Sequence, residues 1–255
     1  MGVRGPAHAG DPHPPGDRGL ILPGAPPPPP EDPRWGLGDA AIGFFAGFFA
    51  SVLFGSLWIG VAGTSKVTLG LTVATLLGQW AGMGSAIAVA CRRKGSGSLV
   101  ADFGLRVEAR DIGPGLAAGV LSQLVLVPLL YAPVHRIWPH VDVSAKAREV
   151  TDLGKGSGIV LLAACIVIGA PLLEELFFRG LLLRSATRRF GPNWAVALSA
   201  VVFGLAHFQP VQLLGLSAFG VVLALLARRS GRLGPSLIAH MAFNATTVVA
   251  LVLAR

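Results

Sequence analysis

The chain has 255 residues, of which 53% are hydrophobic and only 13% charged, with a net charge of +8. Soluble domains carry about 25% charged residues, so this composition excludes an ordinary water-soluble fold. The Lys and Arg sit mainly between apolar runs and show no basic–aromatic stripe. That excludes a nucleic-acid binder and points to membrane topology and contact with anionic lipid.

Residues 1–37 form a Pro/Gly-rich region that includes the run Pro26 to Pro30 and almost no large apolar side chains. Such a segment cannot bury enough surface to offset its ordering entropy and is expected to be a disordered, partly polyproline tail. It lacks the apolar core of an export signal, so the first span is expected to act as the targeting element.

Apolar runs long enough to cross a bilayer follow, each of about 20 residues. They are expected near 38–62, 67–91, 112–133, 158–187, 193–208, 211–228 and 233–254. A polar stretch from Arg92 to Asp111 separates the second run from the third, with Asp102 and Asp111 expected at a membrane surface, capping the third span. In the connector 134–156, Ser144 to Val150 suits a short interfacial helix. The fold class expected is therefore all-α, a polytopic transmembrane bundle of about seven spans over residues 38–255. Arg and Lys favour the segments that share a side with the N-terminus, which predicts a cytoplasmic N-terminus. Cys91 and Cys165 lie in or beside apolar runs and are expected as free thiols. Gln79, Gln123 and Cys165 are read as packing or interhelical hydrogen-bonding residues.

Ionisable groups deep in a bilayer cost roughly 2.5–3.5 kcal/mol each on insertion scales and mark functional sites. Three clusters occur, all in the C-terminal half. In the fourth run, Glu174 and Glu175 are adjacent and point about 100° apart on a helix. Glu175 and Arg179, four residues apart, can pair on one face and leave Glu174 without a local cation. A desolvated carboxylate of that kind suits a general base. Pro171 just upstream should loosen the helical hydrogen bonding. Near the end of the fifth run, Phe203 and His207 share a face, and in the last run so do His240 and Asn244. Singly, each has a bland reading: a structural ion pair, an interfacial His, or polar glue between helices. Together, Glu174 and His207 can hold and deprotonate a water, and His240 and Asn244 can stabilise an oxyanion. That is a hydrolase constellation for an amide bond, with no serine or cysteine nucleophile required.

The ordered set Glu-Glu-x-x-x-Arg, Phe-x-x-x-His and His-x-x-x-Asn resembles the CAAX protease and bacteriocin-processing (CPBP, or Abi) family, which includes the type II CAAX prenyl endopeptidases. The resemblance covers about residues 100–250, with a catalytic core over 157–254. It implies an intramembrane endopeptidase with a conical cavity open to the cytosol. Glu174 would be the general base, His207 would position water, and His240 and Asn244 would form the oxyanion site. Glu175, Arg179 and Phe203 would support them. The family is commonly called metalloprotease, so the resemblance also implies Glu174, His207 and His240 as ligands of zinc. A glutamate mechanism without a fixed metal stands beside it, and the strong His-Glu-x-x-His signature is absent. The Ala-, Gly- and Pro-rich composition suggests a bacterial inner membrane. The partners expected are membrane lipid and a peptide or protein substrate, CAAX-type and lipidated or otherwise membrane-associated. The rival readings are a non-catalytic protein of the same fold, for bacteriocin self-immunity or scaffolding, and a proton-coupled transporter. The first three spans lack a matching Glu/His set, which weighs against the transporter.

Overall fold

The computed structural model describes residues 33–154 and 156–254. Apart from its last few residues, the expected N-terminal tail therefore lies outside the described residues. The helices, in order, are α1 (Leu37–Ala62), α2 (Leu69–Lys94), a short α3 (Leu99–Phe103), α4 (Ala109–Ile137), α5 (Ala145–Asp152), α6 (Gly158–Phe190), α7 (Pro192–Leu205), α8 (Pro210–Ser230) and α9 (Gly234–Leu253). Six of these are long and apolar enough to cross a membrane, and α7 is a shorter apolar helix. The all-helical bundle and its span positions match those expected, and α5 occupies the place of the interfacial helix.

The distribution of side chains explains why the solvent must be lipid. On α1 the buried stripe is Ala40, Gly43, Gly47 and Gly55, while Ile42, Phe45, Phe49, Leu53, Leu57 and Val61 face outward. In water that arrangement would expose far more apolar surface than a monomer tolerates. In a bilayer nothing is gained by hiding large apolar groups, and helices associate through small residues instead. The α1–α2 hairpin follows that rule closely. A Cβ on Gly78 or Gly82 would lie 2.3 Å from the carbonyl oxygen of Ala50 or Ala46. Only glycine allows the two backbones this close. Thr68 starts α2 by accepting a hydrogen bond from the Leu71 amide, and Gly63, with φ of 65°, ends α1.

Along α6, two π-helical segments, Ala164–Gly169 and Glu175–Leu182, flank a short α-helical piece that contains Pro171. Proline has no N–H to donate, so the regular ladder cannot run through it. Such wide turns cluster at functional sites.

One expectation is corrected. The tail does not extend to residue 37. Trp35 is buried against Phe103 (ring centroids 5.1 Å apart) and lies under the Arg188 guanidinium, whose Nη2 donates to the Trp35 carbonyl at 2.6 Å. Asp102 and Asp111, expected at a membrane surface, are packed within the protein there. Both are buried. Asp102 accepts hydrogen bonds from the Ser96 amide and the Cys91 thiol, whereas Asp111 pairs with Arg232 and accepts from the Glu108 amide. Asp111 thus ties the loop before α9 to the start of α4 and, through the Glu108 amide, caps the first turn of α4 as expected. Cys91 and Cys165 are free, as expected.

Candidate active site

The buried ion pair forms the foundation. Arg179 donates to Glu175 across 2.9 Å, and both side chains are shielded from solvent. The guanidinium also donates to the Gly220 carbonyl of α8 at 3.2 Å and lies 4.4 Å from the Phe203 ring centroid. A buried ion pair repays its desolvation only with such added partners. His240 of α9 closes the group: its Nδ1 is 3.1 Å from Glu175 Oε1 and its Nε2 is 3.7 Å from Glu174 Oε2. One imidazole thus bridges the adjacent carboxylates.

Phe203 organises the rest. It is fully buried and its ring meets His207 at 4.9 Å, Phe178 at 5.3 Å and His240 at 5.6 Å, all edge to face. His207 lies just beyond the end of α7, and its Nδ1 is 2.8 Å from the Phe203 carbonyl oxygen. A carbonyl only accepts, so Nδ1 carries the proton and Nε2 is left for another partner.

Glu174 and His207 line the same cavity, of about 340 Å³. Its remaining wall is largely α1 and α2, including Phe48, Ser51, Gln79 and Met83, and Phe208 stands at its edge. The lining is apolar with a few polar groups, the pattern of a ligand site. Phe208 has φ of 51°, in the left-handed region that a bulky residue rarely adopts, and its ring lies 5.8 Å from that of Phe48.

Of the residues singled out from sequence, Glu174, Glu175, Arg179, Phe203, His207 and His240 come together. Asn244 takes a different place. Its Nδ2 donates to the Ile166 carbonyl, in a π-segment of α6, at 2.8 Å. Neither Asn244 nor His240 lines the cavity. The contribution of α1 and α2, outside the expected catalytic core, was not foreseen. The available signal was Gln79, a carboxamide within Gly78-x-x-x-Gly82 in an apolar run.

The fit to a metal can be tested on the donors themselves. His207 and His240 each hold Nδ1 against a protein oxygen, which leaves Nε2 as the nitrogen that would face an ion, and among the described residues no three His, Cys, Asp or Glu groups converge as an ion-binding set.

Residues 156–246 match the family described as type II CAAX prenyl endopeptidase Rce1-like. The chain is also 26% identical over 106 residues to a Bacillus subtilis (strain 168) protein named "Putative membrane peptidase YdiL". That match spans 42% of this chain and 43% of the relative. No solved structure matches.

Proposed function

We propose that this integral membrane protein, whose residues 156–246 match the Rce1-like type II CAAX prenyl endopeptidase family, is an endopeptidase of the CAAX protease and bacteriocin-processing kind, cutting a membrane-associated peptide or protein inside the bilayer. A lipidated, CAAX-type C-terminus is one form such a substrate takes. The single observation that carries the reading is that Glu174 and His207 share one cavity while Glu175, Arg179 and His240 are packed behind them.

In this reading a water sits between the Glu174 carboxylate and His207 Nε2. Glu174 removes a proton as the water oxygen attacks the carbonyl carbon, and a tetrahedral oxyanion forms. Glu174 then returns the proton to the amide nitrogen. The C–N bond breaks, leaving a new carboxylate and a new amine. General acid–base transfer of this kind contributes about 10²–10⁴-fold. His240 positions Glu174, and the Glu175–Arg179 pair fixes His240. No step is routed through a metal. The cations gathered where α1 begins and α2 ends favour a cytoplasmic N-terminus in a bacterial inner membrane.

The test compares membrane proteomes of cells carrying wild type and Glu174→Gln. New N-termini should appear with wild type only, while the variant inserts and accumulates normally. Identical N-termini from both strains would refute Glu174 as the base.

A further inference from the structure

A proline inside a helix leaves a carbonyl without its donor, and the register of the helix decides which one. The α6 segment Ala164–Gly169 is π-helical, and the Ala170 amide that follows it donates to the Cys165 carbonyl, five residues back. In that register the next carbonyl, that of Ile166, would accept from the N–H of residue 171. Residue 171 is a fully buried proline and has no N–H. Inside a bilayer the orphaned carbonyl must find a donor elsewhere. It finds Asn244 of α9, whose Nδ2 donates to it at 2.8 Å.

The bond also fixes the donor. A carbonyl only accepts, so the nitrogen of the Asn244 carboxamide faces Ile166 and the oxygen cannot. One of its two N–H groups is held in this way, and the second has no partner among the described residues. Asn244 is itself only half-buried. It stands one helical turn, about 6 Å, beyond His240 on the same face of α9. The Nε2 of His240 is 3.7 Å from Glu174 Oε2. The second N–H is thus held in one orientation, a turn away from the imidazole that meets the base. An oxyanion donor has this requirement, because a preorganised N–H needs no reorganisation as charge develops.

We infer that Pro171 is a positioning residue for the oxyanion site. By withholding an N–H it keeps the Ile166 carbonyl free to hold Asn244, and the second N–H of that carboxamide is presented to the carbonyl oxygen of the bond to be cut. This rests on the peptidase reading, with Asn244 in the oxyanion role that the family resemblance implies.

The test uses the full chain in detergent. Its only asparagines are Asn193 and Asn244, so ¹⁵N-asparagine labelling of an Asn193→Asp background leaves a single carboxamide for NMR. With Pro171 in place its two protons should resonate well apart, the hydrogen-bonded one downfield. Pro171→Ala supplies the missing N–H and should bring them together, while the melting temperature stays level or rises as the helical ladder is restored. Cleavage is read as the rate at which purified protein, added to membranes of Glu174→Gln cells, generates the N-termini unique to wild-type cells. Despite the unimpaired fold, Pro171→Ala should cut at least about 10-fold more slowly, part of the roughly 10²–10³-fold loss expected on removing an oxyanion donor outright. Pro171→lactate, with neither ring nor N–H, should restore both the resonance separation and the rate. Unchanged resonances in Pro171→Ala would overturn the anchor. Collapsed resonances with unchanged cleavage would show that the bond only satisfies the backbone, and a loss that lactate does not restore would trace the effect to the ring; either overturns the positioning role. If wild type generates no new N-termini, the peptidase reading falls and takes the oxyanion role with it, while the resonance pair still reports whether Pro171 orients Asn244.

Discussion

Arg179 is the residue on which most depends. It is fully buried, pairs with Glu175, reaches Gly220 on α8 and lies against Phe203. Replacing it with Met leaves Glu175 as a buried charge held by His240 and Ser236. Breaking a buried pair from one side costs about 3–5 kcal/mol. Arg179→Met should therefore lower the melting temperature in detergent strongly, and an unchanged melt would refute the pairing. Glu174→Gln should behave oppositely, losing cleavage with little change in the melt, because Glu174 faces the cavity and the Arg179 guanidinium hydrogen-bonds Glu175 rather than Glu174. Sequence reasoning reached this division, because a four-residue spacing on a helix dictates which carboxylate the Arg can take. It did not reach the fate of Asn244. Helical spacing shows that Asn244 and His240 share a face, but not that a π-segment on another helix presents the Ile166 carbonyl to it.

At the scale of elements, the α1–α2 hairpin and α6 hold the cavity open from two sides. The hairpin depends on missing side chains. Gly82→Leu would drive a side chain into the Ala46 carbonyl and the Gly47 amide. That substitution should separate the helices, remove the cavity wall and abolish cleavage. The check is a crosslink between cysteines placed on the facing sides of α1 and α2, which should form in wild type and fail in the variant. The spans were legible in the sequence because a bilayer demands long apolar runs and little else. The π-segments were legible only as a disturbance at Pro171. The role of α1 and α2 was marked only by Gln79, since their cavity-lining residues carry no charge and which helices neighbour α6 is a matter of tertiary packing.

For the molecule as a whole, one end of the bundle gathers most of the charge and ties the chain together there. Lys94 pairs with Asp39 at 2.7 Å, Arg184 donates to the Gly231 carbonyl at 2.8 Å, and Arg232 pairs with Asp111. Burial pushes the Asp102 carboxyl up, but hydrogen bonds from the Ser96 amide and the Cys91 thiol outweigh it and hold the group below the usual carboxylate range. A depressed folded-state value means the stabilisation is present above the unfolded value and is lost as pH falls through the folded one. Acid melts should thus show a loss of stability below about pH 4 that Asp102→Asn reduces. An identical acid limb in that variant would refute the linkage.

The shortness of α7 has a mechanical consequence for the surrounding lipid. Its 14 residues rise about 21 Å, some 9 Å less than a hydrocarbon core of about 30 Å. The chain then turns back through Phe208 to Gln212, with loose ends taken up by Tyr131, which donates to the Val211 carbonyl and accepts from the Gly215 amide. Acyl chains beside this stump must compress or admit water to meet it. A leaflet that thins beside α7 should give rapid deuterium uptake by amides near Leu205, and slow exchange there would show that the lipid does not yield to the short helix.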